Sequence, residues 1–236
     1  MDRSRHRLIW VPAVVLLATV GQLAVATFVP GIERFDGKAF GARLLFYPVM
    51  MLLVPAVWWL AVKRRQPEAT PPYVAFALVM LGFLVDTTGN SLDLYDTLVW
   101  WDDLNHFVNW FFLLSGIGLI IAMDLRPRWA QLLLVTGLGC LLALGWELGE
   151  WYTFIRHGTE LDTAYEDTLG DMTLGSCGAF LAALLVARVS AADRVTATGW
   201  SPEPSWRPGS STTGPWPGSS TTRGSSPRWS RTPRCT

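Results

Sequence analysis

The chain has 236 residues, 50% of them hydrophobic and only 16% charged. Soluble domains carry charge on roughly a quarter of their residues, so an ordinary soluble domain is excluded and a polytopic membrane protein is expected. Net charge is zero, no nucleic-acid partner is expected, and the three cysteines form neither a disulfide framework nor a zinc-type pair.

Arg3, Arg5, His6 and Arg7 precede the first apolar run, residues 8–29. Ala24-Val25-Ala26 has the small-residue form of a signal-peptide cleavage site, but the run exceeds a signal-peptide core and predicts a retained first helix. The second run, 44–62, contains Pro48 and Pro55 and ends in Lys63-Arg64-Arg65, which predicts a kinked span. The third, 73–90, turns polar at its far end, with Asp86, Thr87, Thr88 and Asn90. Trp100-Trp101-Asp102-Asp103 leads into the fourth, 104–123. The fifth runs from 129 past Glu147 and Glu150 to about 155, and the sixth, 167–188, is rich in Gly and Ala.

From Thr198 the apolar periodicity stops. Pro-Gly-Ser-Ser-Thr-Thr occurs at Pro208 and again at Pro217, and five arginines face only Glu203. Such a composition cannot bury a core and reads as disordered. The expected organisation is all-α: a six-span transmembrane domain over 1–190 and a low-complexity tail over 191–236.

Lys and Arg near span ends give the orientation. With the N-terminus inside, inner segments hold Arg3, Arg5, Arg7, Lys63, Arg64, Arg65, Arg126, Arg128, Arg188 and Arg194, against Arg34, Lys38, Arg43 and Arg156 outside. Both termini are then cytoplasmic. The same topology brings four polar span ends to the outer side: Asp86 and Asn90; Asp102, Asp103, His106 and Asn109; Glu147 and Glu150; Asp167 and Asp171. Gly145 with Gly149, and the stripe Asp171, Gly175, Gly178, Ala182, predict close helix packing around these groups.

Carboxylates with one histidine suit a divalent cation such as Mg²⁺, Mn²⁺ or Zn²⁺, which would offset repulsion among the acids. The candidate ligands are Asp103, His106, Glu147, Glu150, Asp167 and Asp171. The candidate catalytic groups are His106, Glu147, Glu150 and Asp171, either through a metal-activated water or as metal-free acid and base. The substrate would be a lipid-linked or envelope molecule met at the outer leaflet. The same acids also fit a cation- or proton-coupled transporter, or a scaffold in which they only bond helix ends together.

Asp-Asp-x-x-His-Phe at Asp102–Phe107, Trp-Glu-x-x-Glu-Trp at Trp146–Trp151 and Tyr-Glu-Asp-Thr-x-Gly-Asp-Met at Tyr165–Met172 together resemble the YjdF-type family of bacterial membrane proteins. A looser likeness is to VanZ-like proteins, which are associated with glycopeptide resistance. The resemblance covers roughly residues 86–186. It implies a polytopic component of the bacterial inner membrane and singles out Asp103, His106, Glu147, Glu150, Asp167 and Asp171 as signature positions. It implies no particular reaction.

Overall fold

Six of the apolar runs become helices long and apolar enough to cross a bilayer. The computed structural model describes residues 8–153, 155–157 and 164–198. Among them there are seven α-helices and no strand: α1 (Trp10–Phe28), α2 (Phe40–Trp58), α3 (Tyr73–Ser91), the single turn α4 (Leu94–Thr97), α5 (Trp101–Ile121), α6 (Arg128–Thr153) and α7 (Ala164–Thr198). The expected all-α, six-span architecture is therefore present.

Helix limits follow local chemistry. α3 starts behind Pro71-Pro72 and α6 behind Pro127, where a proline's missing N–H costs nothing. α5 starts at Trp101 without a side-chain cap, but Asp102 and Asp103 in its first turn offset the exposed N–H groups. α2 keeps both prolines inside and then widens into a π turn over Trp59–Lys63. α7 continues to Thr198, so the expected boundary at 190 falls within a helix. Residues 199–236, which hold most of the expected tail, lie outside the described residues.

α5 is the central helix, packed against α7 on one flank and α3 on the other. α6 lies on α7, and α1 lies on α3 with α2 beside it. The core forms where α5, α6 and α7 meet, around Trp110, Leu114, Val135, Ala179, Ala182 and Val186. A smaller cluster, Val15, Met51 and Met80, joins α1, α2 and α3. Many large apolar side chains, among them Leu17, Phe46, Leu133 and Leu141, face outward, as lipid-facing residues should.

Close approach depends on small residues. A Cβ at Gly178 would collide with the carbonyl oxygen of Phe107 and stand 3.0 Å from Phe111 N. One at Gly116 would stand 2.5 Å from the Ala75 carbonyl. The stripe Asp171, Gly175, Gly178, Ala182 is buried along its length, as its spacing predicts. Gly145 and Gly149 do not pack as expected: a Cβ at either meets nothing within 4 Å, because that side of α6 is turned away from α7. Gly178→Ala is expected to cost about 1–3 kcal/mol through overpacking, read as a lower melting temperature in detergent. Gly145→Ala should leave the melting temperature unchanged or raise it.

At one end of the bundle Gln131 is fully buried. Its Nε2 donates to the carbonyls of Ala122 (2.8 Å) and Met123 (3.3 Å) and to Ser190 Oγ (3.0 Å), while Ser190 Oγ donates to Met123 O (2.8 Å). These bonds close the last carbonyls beyond α5, which have no helical partner of their own.

Candidate functional site

The opposite end of the bundle holds the buried titratable groups. His106, one turn into α5, is 9% exposed; Glu147 near the end of α6 and Asp171 in the second turn of α7 are each 4% exposed. Three different helices thus bring buried titratable side chains together. His106 Nδ1 lies 3.9 Å from Glu147 Oε1. His106 Nε2 lies 3.7 Å from Asp171 Oδ2 and 3.8 Å from Asp102 Oδ1. All three separations are too long for a direct hydrogen bond. Nδ1 is buried and has no hydrogen-bond partner.

Two triads share the imidazole. Asp102, His106 and Asp171 each offer a ligand atom within 4.8 Å of the others, and so do His106, Glu147 and Glu150. Two bonds of about 2.0–2.6 Å to a common cation allow ligand atoms up to about 4–5 Å apart, so either triad has the spacing of a cation seat. The donor set, one imidazole with carboxylates, suits a hard or borderline divalent ion. An ion seated on the Glu147 side would satisfy the unpartnered Nδ1.

Of the six residues expected as ligands, His106, Glu147, Glu150 and Asp171 meet. Asp103 and Asp167 are exposed and contribute no atom to either triad. Asp102 takes the place expected of Asp103, because it lies on the stripe Asp102, His106, Trp110, Leu114 that α5 turns toward α6 and α7. Beside Glu147 an open groove of about 380 Å³ is lined by Leu144, Leu148, Trp151, Thr168 and Met172. Its walls are mostly apolar, so the approach to Glu147 from the flank is one that hydrocarbon can occupy.

A second polar network backs the first. Asp86 on α3 accepts hydrogen bonds from Arg43 Nη1 (2.5 Å), Tyr47 Oη (2.6 Å), Tyr95 Oη (2.8 Å) and Asn90 Nδ2 (3.1 Å). Arg43 Nη1 also donates to Tyr47 Oη (2.7 Å), and Asn105 Nδ2 donates to Tyr95 Oη. Asn105 and His106 are neighbours in sequence, so the network reaches the candidate site through adjacent residues of α5. Sequence reasoning did not assign Arg43, Tyr47 or Tyr95 to it. The available signal was Arg43 itself, a guanidinium at the mouth of an apolar span, which needs an acid.

At the edge of this network Lys38 pairs with Asp93 and, at 2.7 Å, with Asp96. Asp93 sits at φ +63°, where the chain turns from α3 into α4. Burial works against the Lys38 ammonium, but its bonds to Asp93 and Asp96 outweigh this and hold its pKa above the ordinary value. The hydrogen bond from Lys38 holds the Asp96 carboxyl below its ordinary value. A lowered carboxyl pKa gives stability that is present above the ordinary carboxylate range, near pH ~4, and is lost as pH falls through the lowered value. Wild type is therefore expected to lose melting temperature over that acid window, and Lys38→Met to lose the Asp96 part of that response.

Compared with known families, residues 12–192 match the one described as "Predicted membrane protein (DUF2238)". The chain belongs to this family. No curated protein and no solved structure matches it. The DUF2238 match runs from α1 through most of α7, so it takes in all six candidate spans and both triads. The stretch of α5, α6 and α7 that carries the triads is thus part of the DUF2238 domain rather than an addition to it.

Proposed function

We propose that this DUF2238 protein binds a divalent cation at the end of its helix bundle and uses it on an envelope or lipid-related substrate. The observation that carries the reading is the imidazole of His106, whose buried, unpartnered Nδ1 faces Glu147 while its Nε2 faces Asp102 and Asp171. A bound ion would polarise a substrate oxygen or activate a water. His106 with Asp102 and Asp171, or with Glu147 and Glu150, would hold it, and a carboxylate outside the triad that holds it would accept a proton. Substrate would approach along the groove at Leu144, Leu148, Trp151 and Met172, whose lining supports a molecule with a hydrocarbon part.

The Lys and Arg distribution supports an inner-membrane protein with both termini cytoplasmic and this site on the outer side. The resemblance to YjdF-type and VanZ-like proteins supports the inner-membrane location.

The test is metal content of the full chain, purified in detergent and exposed in turn to Mg²⁺, Mn²⁺ and Zn²⁺. About one or more ions per chain, retained through desalting, is the expected result. A chain that stays empty with all three sinks the metal reading and leaves the acids as a metal-free acid/base or proton-coupled site, to be tested by ion flux in proteoliposomes.

A further inference from the structure

The other end of the α6–α7 pair carries a site of opposite sign. Arg128 opens α6, and Arg188 lies on α7. Together with Leu132, Leu184, Ala187 and Ala191 they line an open groove of about 250 Å³. From Arg128 to Glu147 α6 rises roughly 28 Å, at about 1.5 Å per residue. The arginines therefore stand about one hydrocarbon thickness away from the acidic cluster, at the far membrane interface.

Two other arginines near span ends have partners. Arg43 is paired with Asp86, and Arg126 donates to Leu125 O (2.8 Å) and Ser190 Oγ (3.2 Å). Neither the Arg128 nor the Arg188 side chain has an ion pair or hydrogen bond among the described residues. Two guanidiniums on one groove repel each other unless an anion lies between them. Guanidinium forks match phosphate oxygens in geometry and charge, and the N-terminus of α6 adds positive potential at the same place. The remaining four lining residues are apolar and lie within candidate spans.

We propose that this groove binds one anionic phospholipid, with the headgroup phosphate between Arg128 and Arg188 and an acyl chain along Leu132 and Leu184. Charge complementarity sets the headgroup, and the apolar floor sets a lipid rather than a soluble anion. The site is independent of the cation reading, since it shares no residue with the His106 cluster.

Native mass spectrometry of the full chain, released from detergent, tests this. The chain is titrated with phosphatidylglycerol, with phosphatidylcholine and with glycerol 3-phosphate as the headgroup alone. One phosphatidylglycerol is expected to bind in preference to phosphatidylcholine, with no retained glycerol phosphate. In R128Q/R188Q its affinity should fall roughly 10- to 30-fold. R64Q/R65Q, which removes equal charge from exposed positions outside the groove, should bind as wild type does. Leu184→Trp, which keeps both arginines and fills the groove, should also lose the lipid, and it covers the case in which the double variant does not fold. Full binding by R128Q/R188Q or by Leu184→Trp, or equal loss in R64Q/R65Q, overturns the proposal. Glycerol phosphate held as tightly as the lipid also overturns it, by making the groove a soluble-phosphate site.

Discussion

His106→Ala is expected to abolish cation retention while the bundle stays folded. The imidazole is common to both triads, so its loss leaves each with two carboxylates and no nitrogen donor. Loss of a group that merely orients a ligand costs roughly 10–100-fold in metal affinity, and loss of the shared ligand should exceed that. Asp102→Asn and Asp103→Asn give the sharper contrast. The first removes a charged ligand atom 3.8 Å from Nε2, whereas the second changes an exposed side chain. Binding that falls in the first and holds in the second fits the geometry; equal loss in both would mean only that negative charge near the end of α5 matters. Metal content with a thermal melt of each variant provides the measurement.

Asp86→Ala is expected to be the most destabilising single substitution at that end of the bundle. It removes an acceptor from Arg43, Tyr47, Tyr95 and Asn90 at once and leaves the half-buried Arg43 without its carboxylate. Breaking a buried pair from one side costs about 3–5 kcal/mol. Arg43 is 27% exposed and Asp86 16%, which places the loss at about 3 kcal/mol, the low end of that range. The double variant Arg43→Met/Asp86→Leu should recover much of it, because no stranded charge remains. Thermal melts of the three proteins in one detergent decide this, and a double variant no better than Asp86→Ala would refute the account.

Which parts of this architecture could be read from the sequence follows from the range of the forces involved. Spans are set by local hydropathy, so all six were legible, and α1 and α3 begin and end within two residues of expectation. The meeting of His106, Glu147, Glu150 and Asp171 was legible because alternating spans must return their polar ends to one side. Rotation about a helix axis was not. One residue turns α5 by about 100°, and this alone separates Asp102, which faces the bundle, from Asp103, which does not. The buried positions Trp110 and Leu114, four and eight beyond His106, mark the inward stripe to which Asp102 belongs, but residues 107–114 are apolar on nearly every face and do not single it out. The same uncertainty misplaced Gly145 and Gly149, whose spacing is right for packing but whose face is not. Partners of Asp86 lie 39 and 43 residues away at Tyr47 and Arg43, and no periodicity in a single chain spans such a gap.

The placing of the imidazole has one more consequence. Nδ1 looks toward Glu147 and Nε2 toward Asp102 and Asp171, yet a neutral ring carries a single N–H and a single lone pair. While neutral, His106 therefore cannot serve both sides in the same way. In one tautomer its N–H points toward α6 and its lone pair toward α7; in the other these are exchanged. A ligand that takes the lone pair on one side fixes the proton on the other, so whatever occupies one triad sets the hydrogen-bonding character of its neighbour.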